Sequence, residues 1–212
     1  MSARCLETGI GRNYNMPHKP INIALAGVGG QGILTASDVL AHAAMLAGRA
    51  VKKSELHGMA QRGGSVVSHV RTGELVHSPV IPDASAGYML AFERLEALRY
   101  AGLLAPGARV IMNRVELHTI SEYSGDDYPE DVEHTLDGLD AYVITVPGRQ
   151  IAEGAGNARA NGSVLLGALS TFLPMTPRNW AEAFRRVLSP GLLEVNIDAF
   201  RLGRSWMSVR AK

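Results

Sequence analysis

Cysteine is almost missing from this 212-residue chain. Cys5 is the single copy. Disulfides therefore do not hold the fold together, and a reducing, cytoplasmic setting is the expectation. A cubane iron-sulfur cluster needs about four thiolates, and a structural zinc site draws on several Cys or His at close spacing, so neither centre can be built by this chain alone. The seven histidines form no HExxH or HxxxH pair on a helical face, so no metal site is expected. Excess charge of one sign is also lacking. A net charge of +1, with acids and bases spread along the chain, leaves no basic footprint for nucleic acid and no polybasic membrane anchor. Long apolar runs are absent too: none approaches the roughly 20 residues of a membrane span, and residues 1–19 lack the apolar core of a secretory signal. Complete catalytic signatures are missing as well, with no G-x-S-x-G elbow, no Walker A lysine and no clustered carboxylates.

What is present is enough apolar sequence for one sizeable core. Residues 1–19 mix Gly, Asn, Pro and charges without periodicity and read as a flexible leader, with the domain occupying residues 20–212. Ile21 to Ala26 is a short apolar strand. Gly27-Val28-Gly29-Gly30-Gln31-Gly32 then leads into a helical pattern from Ile33 to Leu46, stopped by Gly48. Strands are expected near Ala50 to Lys53, Val66 to Arg71, Tyr88 to Phe92, Arg109 to Met112 and Ala141 to Val146. A hairpin turn is expected at Thr72-Gly73-Glu74, with Leu75 to His77 as the returning strand before Pro79 and Pro82. Glu93 to Leu104 reads as a helix ended near Pro106-Gly107, and residues 116–138 as an exposed excursion without a site. Helices are expected at about 148–155, 163–173, 177–188 and 193–208, with Asn161 or Ser163 and Thr176 as N-caps. Alternating strands and helices predict a single three-layer, Rossmann-like α/β domain. Its sheet is mostly parallel, with an added antiparallel hairpin and helices at the C-terminus.

Two stretches carry the chemistry. The glycines at 27, 29 and 32 satisfy G-x-G-x-x-G between a strand and a helix, where backbone N–H groups at Gly29, Gly30, Gln31 and Gly32 would favour a phosphate or carboxylate. Against a nicotinamide cofactor, the second strand carries Val51-Lys52-Lys53 and not the acid that grips a ribose; Lys52 or Lys53 would suit a 2′-phosphate, although solvated lysines are the commoner case. The second stretch, Ser54 to Ser65, is polar and punctuated by Gly58, Gly63 and Gly64. It presents His57, Gln61 and Arg62 as an imidazole, an amide and a permanent cation able to reach a ligand or a neighbouring chain. An ordered surface loop is the plain alternative.

These same residues resemble the gamma-type domain of 2-oxoacid:ferredoxin oxidoreductases. The resemblance rests on Gly27 to Gly32 and on Ser54-Glu55-Leu56-His57-Gly58-Met59-Ala60-Gln61-Arg62-Gly63-Gly64-Ser65-Val66. Ser78 to Pro82, Ala91-Phe92-Glu93, Leu95 to Arg99, and Asn161 with Leu165 to Leu169 extend it. It covers residues 20–190 or so, and within the family it points to the small subunits that act on indolepyruvate. It implies an oxidoreductase subunit, inactive alone, with no catalytic residue in this chain. A larger partner would bind thiamine diphosphate with Mg and iron-sulfur clusters, decarboxylate an arylpyruvate oxidatively, and pass electrons to ferredoxin or a similar carrier. Coenzyme A as acyl acceptor is implied at the interface, as is a homo-oligomer formed through the complex. By position, Gly29 to Gly32 would meet an anion, and His57, Gln61 and Arg62 would line the subunit interface or the coenzyme A channel. The rival reading, from the glycine turn alone, is a free-standing nucleotide-binding module or an NADP-dependent dehydrogenase.

Overall fold

The computed structural model describes residues 19–57, 63–115, 129 and 131–210. Residues 1–18 of the expected leader and the residues Gln61 and Arg62 lie outside that set. β1 (Ile21–Val28) is buried along nearly its whole length, as a central strand covered on both faces must be. Its alternation sorts side chains between two cores: Ile23 and Leu25 join one apolar cluster, Ala24 the other. α1 (Ile33–Leu46) follows and turns Ile33, Ala36, Val39, Leu40 and Ala43 onto the first cluster.

The chain then forms β2 (Ala50–His57) and β3 (Ser65–Gly73), an antiparallel pair in register from Ala50 opposite Gly73 to His57 opposite Val66. β3 also pairs antiparallel with β1, from Ile21 opposite Thr72 to Val28 opposite Ser65. The antiparallel hairpin is therefore β2–β3, and the expected turn at Thr72-Gly73-Glu74 with a strand at Leu75 to His77 does not form. A three-residue return before two prolines could not compete with two eight-residue ladders. Residues 78–81 are instead held by side chains. Arg71 donates to the carbonyls of Ser78 and Val80, both at 3.0 Å, and His69 Nδ1 accepts from the Ile81 N–H.

β4 (Ala86–Ala91), β5 (Leu104–Asn113) and β6 (Tyr142–Val146) complete a six-stranded sheet in the order β2-β3-β1-β4-β5-β6, with β1, β4, β5 and β6 parallel. The helix expected over Glu93 to Leu104 is shorter: α2 (Arg94–Arg99) gives way to a 3₁₀ turn, and β5 begins at Leu104. The ladder to β4 slips between Ala86 and Tyr88, which lets Pro106 and Gly107 sit inside a strand as an irregularity. The segment expected as an exposed excursion contains α3 (Val132–Asp137). Val132 and Leu136, one turn apart, are fully buried in the second cluster, two anchors too few to stand out in a polar string.

Four helices end the described chain: α4 (Gly148–Gly154), α5 (Asn161–Leu169), α6 (Pro177–Val187) and α7 (Pro190–Arg210). Thr176 does cap α6, in a reciprocal pair with Asn179, and Pro177 opens the helix. Neither Asn161 nor Ser163 caps α5; Ala160 holds that place because a 3₁₀ turn capped by Asn157 runs straight into the helix. α1 and α4–α7 cover one face of the sheet and α2 with α3 the other, giving three layers. No helix among the described residues is long and apolar enough to cross a membrane.

Candidate functional site

From β1 the chain crosses to β2 on one side, whereas β4, β5 and β6 extend the sheet on the other. The carboxyl ends of β1 and β4 therefore mark the place where strand order reverses, the usual position of a ligand crevice in an open α/β sheet. The glycine turn and the base of the 58–64 segment meet there. Gly29 donates its N–H to the Gly64 carbonyl at 2.8 Å, and its own carbonyl accepts from the Gly63 N–H at 3.3 Å. Two main-chain bonds thus clasp the turn to the start of β3.

Gln31 fills the gap between the two strands. Its side chain accepts from the Val28 N–H at 2.7 Å and donates to the Phe92 carbonyl at 3.2 Å, while its N–H returns to the Val28 carbonyl at 3.1 Å. The first glycine of the motif exists to admit that side chain: a Cβ at Gly27 would lie 2.7 Å from Gln31 Oε1 and 2.8 Å from Phe92 Cβ. Gly29 and Gln31 therefore spend their N–H groups on the protein. Gly30 and Gly32, exposed and at φ of 102° and 84°, have N–H groups without an acceptor among the described residues. Gly32 leads directly into α1, so its surroundings carry the positive end of the helix dipole.

Beside Gly32 opens a cleft of ≈ 310 Å³. Thr35, Asn157, Arg159 and Asn196 supply its polar lining, and Leu166 and Phe184 its apolar lining. Ser163 donates to Asn196 at 2.7 Å across it. Such a cleft can receive an elongated ligand with a polar head and an apolar body. The sequence pattern did not reveal it, since its residues come from five separate elements.

A buried polar network lies beneath the other side of the loop base. Ser65, the first residue of β3, donates to the Glu96 carboxylate and shares a hydrogen bond of 2.9 Å with Tyr100. Arg99 donates to the other Glu96 oxygen at 3.0 Å, and Glu93 accepts from the Glu96 N–H at 2.9 Å. Glu96 and Glu93 are 2% and 1% exposed. Burial pushes the Glu96 pKa above the usual carboxylate range, against the pull of Ser65 and Arg99. These two acids do cluster in space although they are unremarkable in sequence; the signal was the Ala91-Phe92-Glu93 and Leu95 to Arg99 string that carried the resemblance.

Of the other expected site residues, His57 ends β2 opposite Val66, which places its backbone at the entrance to the segment containing Gln61 and Arg62. The lysine considered for a 2′-phosphate is otherwise engaged. Lys53 sits mid-strand, pairs with Asp38 and with Glu55, the latter at 2.6 Å, and bonds Ser37 at 3.3 Å; Lys52 is exposed.

A family model for pyruvate ferredoxin/flavodoxin oxidoreductase matches residues 22–206. The chain is 40% identical over 188 residues to indolepyruvate oxidoreductase subunit IorB of Archaeoglobus fulgidus, covering 86% of this chain and 93% of that protein. The Thermococcus kodakarensis IorB subunit is 37% identical over 194 residues, with 87% and 95% covered. Among solved structures, pyruvate oxidoreductase subunit PORC of Thermotoga maritima superimposes with a TM-score of 0.68 at 20% identity, covering 88% of this chain and 96% of that one. A 2-oxoglutarate:ferredoxin oxidoreductase from Magnetococcus marinus, with 2-oxoglutarate, coenzyme A and succinyl-CoA bound, shares the fold at a TM-score of 0.68 over 90% of this chain and 31% of its own. The chain belongs to the pyruvate ferredoxin/flavodoxin oxidoreductase family and is built as one of its small oxidoreductase subunits.

Proposed function

We propose that residues 20–212 form the gamma-type domain of an indolepyruvate-class 2-oxoacid oxidoreductase, working only in complex with a larger chain. The observation that carries this reading is the similarity to IorB subunits at 36–40% identity along nearly their whole length. The larger chain would hold thiamine diphosphate, Mg and the iron-sulfur clusters, consistent with a single cysteine here, and would hand electrons to ferredoxin or a similar carrier. Bound thiamine diphosphate would supply the carbanion chemistry of decarboxylation. The part of this chain is to bind and orient.

In this reading the carboxyl ends of β1 and β4 face the partner's active site. The clasp between Gly29 and Gly63-Gly64, with Ser65 tied to Glu96 and Tyr100, supports a role for His57, Gln61 and Arg62 in lining the interface or the coenzyme A path, because it fixes the exit of their segment. A cytoplasmic location goes with such a complex.

The test is reconstitution. Purified under anaerobic conditions with its large subunit, the chain should support indolepyruvate-dependent reduction of a viologen dye, and neither subunit should do so alone. Arg62→Ala should raise the coenzyme A requirement or weaken assembly. Recovery of the chain as a free nucleotide-binding protein would overturn the proposal; an Arg62→Ala complex with unchanged assembly and coenzyme A dependence would overturn the role given to the loop.

A further inference from the structure

Away from the glycine turn, the helical layer leaves part of the sheet bare. Tyr88, Arg109 and Tyr142 lie side by side on β4, β5 and β6, in register across three parallel strands and therefore on one face. Phe172 packs over this row: its ring is 6.4 Å from that of Tyr88, and the Arg109 guanidinium lies 5.2 Å from its centroid. The end of α7 forms the other wall of a groove of ≈ 490 Å³ through Met207 and Arg210. Arg210 stacks on Trp206 at 4.1 Å. The surface continues along α7, where Leu202, Trp206 and Val209 recur at helical spacing, with Leu202 41% and Val209 75% exposed. Tyr142 is 62% exposed on the edge strand.

Tyr, Trp and Arg ringed by exposed aliphatic side chains are the composition of a binding hot spot, not of solvated surface. Charge identifies what belongs there. Neither Arg109 nor Arg210 has a carboxylate within ion-pair distance among the described residues, and Asp137 is the one acid of the lining. Their guanidinium planes are committed to aromatic rings, and Arg210 Nη1 donates to the Trp206 carbonyl at 3.4 Å, which leaves the remaining N–H groups to meet an incoming oxygen anion. A second copy related by a two-fold axis through the groove would set arginine against arginine. A transient redox partner uses a small polar contact, whereas this surface is broad and apolar.

We infer that this groove and the adjoining α7 stripe seat an acidic, apolar-flanked segment of the large partner subunit, as a second contact apart from the His57–Ser65 end. The inference rests on the function proposed above. It is tested by titrating purified large subunit into the wild-type chain, the double variant Arg109→Glu/Arg210→Glu, and Val209→Glu, with circular dichroism confirming the fold of each. The wild type should bind, and the double variant about tenfold or more weakly. Added salt should weaken wild-type binding more than that of the double variant. Hydrogen exchange at 142–146 and 202–210 should slow in the wild-type complex. Equal affinities with no slowing there would overturn the inference while leaving the subunit assignment intact. Failure of the wild type to bind would remove both. Self-association of the chain alone that is lost in the double variant would assign the groove to a second copy and also overturn the inference.

Discussion

Glu96 shows how one residue couples the loop base to solution conditions. Its carboxyl is held beneath Ser65 with Arg99 on the far side, and burial raises its pKa above the ordinary value of 4.5. The folded chain thus holds a proton there more tightly than the unfolded chain. The stability that this contributes is present below the unfolded pKa and is lost as pH rises through the folded one. Glu96→Gln keeps an acceptor for Ser65 and removes the titration. Thermal melts between about pH 4 and about pH 8 should show the wild type losing stability relative to this variant as pH rises. A constant gap between the two curves would refute the shifted carboxyl.

Among the elements, α5 and α7 depend most on close approach. A Cβ at Gly203 would lie 2.0 Å from the Val164 carbonyl oxygen, and one at Gly167 would lie 2.1 Å from that of Phe200. Both obstacles are backbone, so neither can rotate aside. Gly203→Ala is expected to destabilise the chain by about 3 kcal/mol or more through forced separation of the two helices. Gly191→Ala, with nothing within 4 Å of its Cβ, should stay close to neutral. Denaturant unfolding of the pair measures the difference. Trp180, Phe184 and Phe200 pack together in the same core, so a shift of α7 would also disturb α6.

For the whole molecule, the arrangement of parts argues against free-standing dinucleotide chemistry. Gln31 occupies the crevice between β1 and β4, Gly29 is bonded to Gly64, and Lys53 is paired with Asp38 and Glu55. Titration of the isolated chain with NADP by calorimetry should therefore show no micromolar binding, an affinity that would be worth about 8 kcal/mol. Micromolar binding would restore the dehydrogenase reading.

Much of this was legible along the chain. Runs such as Ile21 to Ala26 and Tyr88 to Phe92, and the Thr176-Pro177 start of α6, depend on neighbours a few residues apart, so local pattern alone specified the α/β class, most elements and the family resemblance. The single cysteine likewise set the expectation that iron-sulfur chemistry lies on another chain. Tertiary structure decided what depends on partners far apart in sequence. It chose β2 over Leu75 to His77 as the mate of β3, brought Ser65 to Glu96, and turned Gln31 into the plug of its own glycine motif. It also set Tyr88, Arg109 and Tyr142 in one row, because strand register and the footprint of packed helices arise only when distant segments compete for the same sheet.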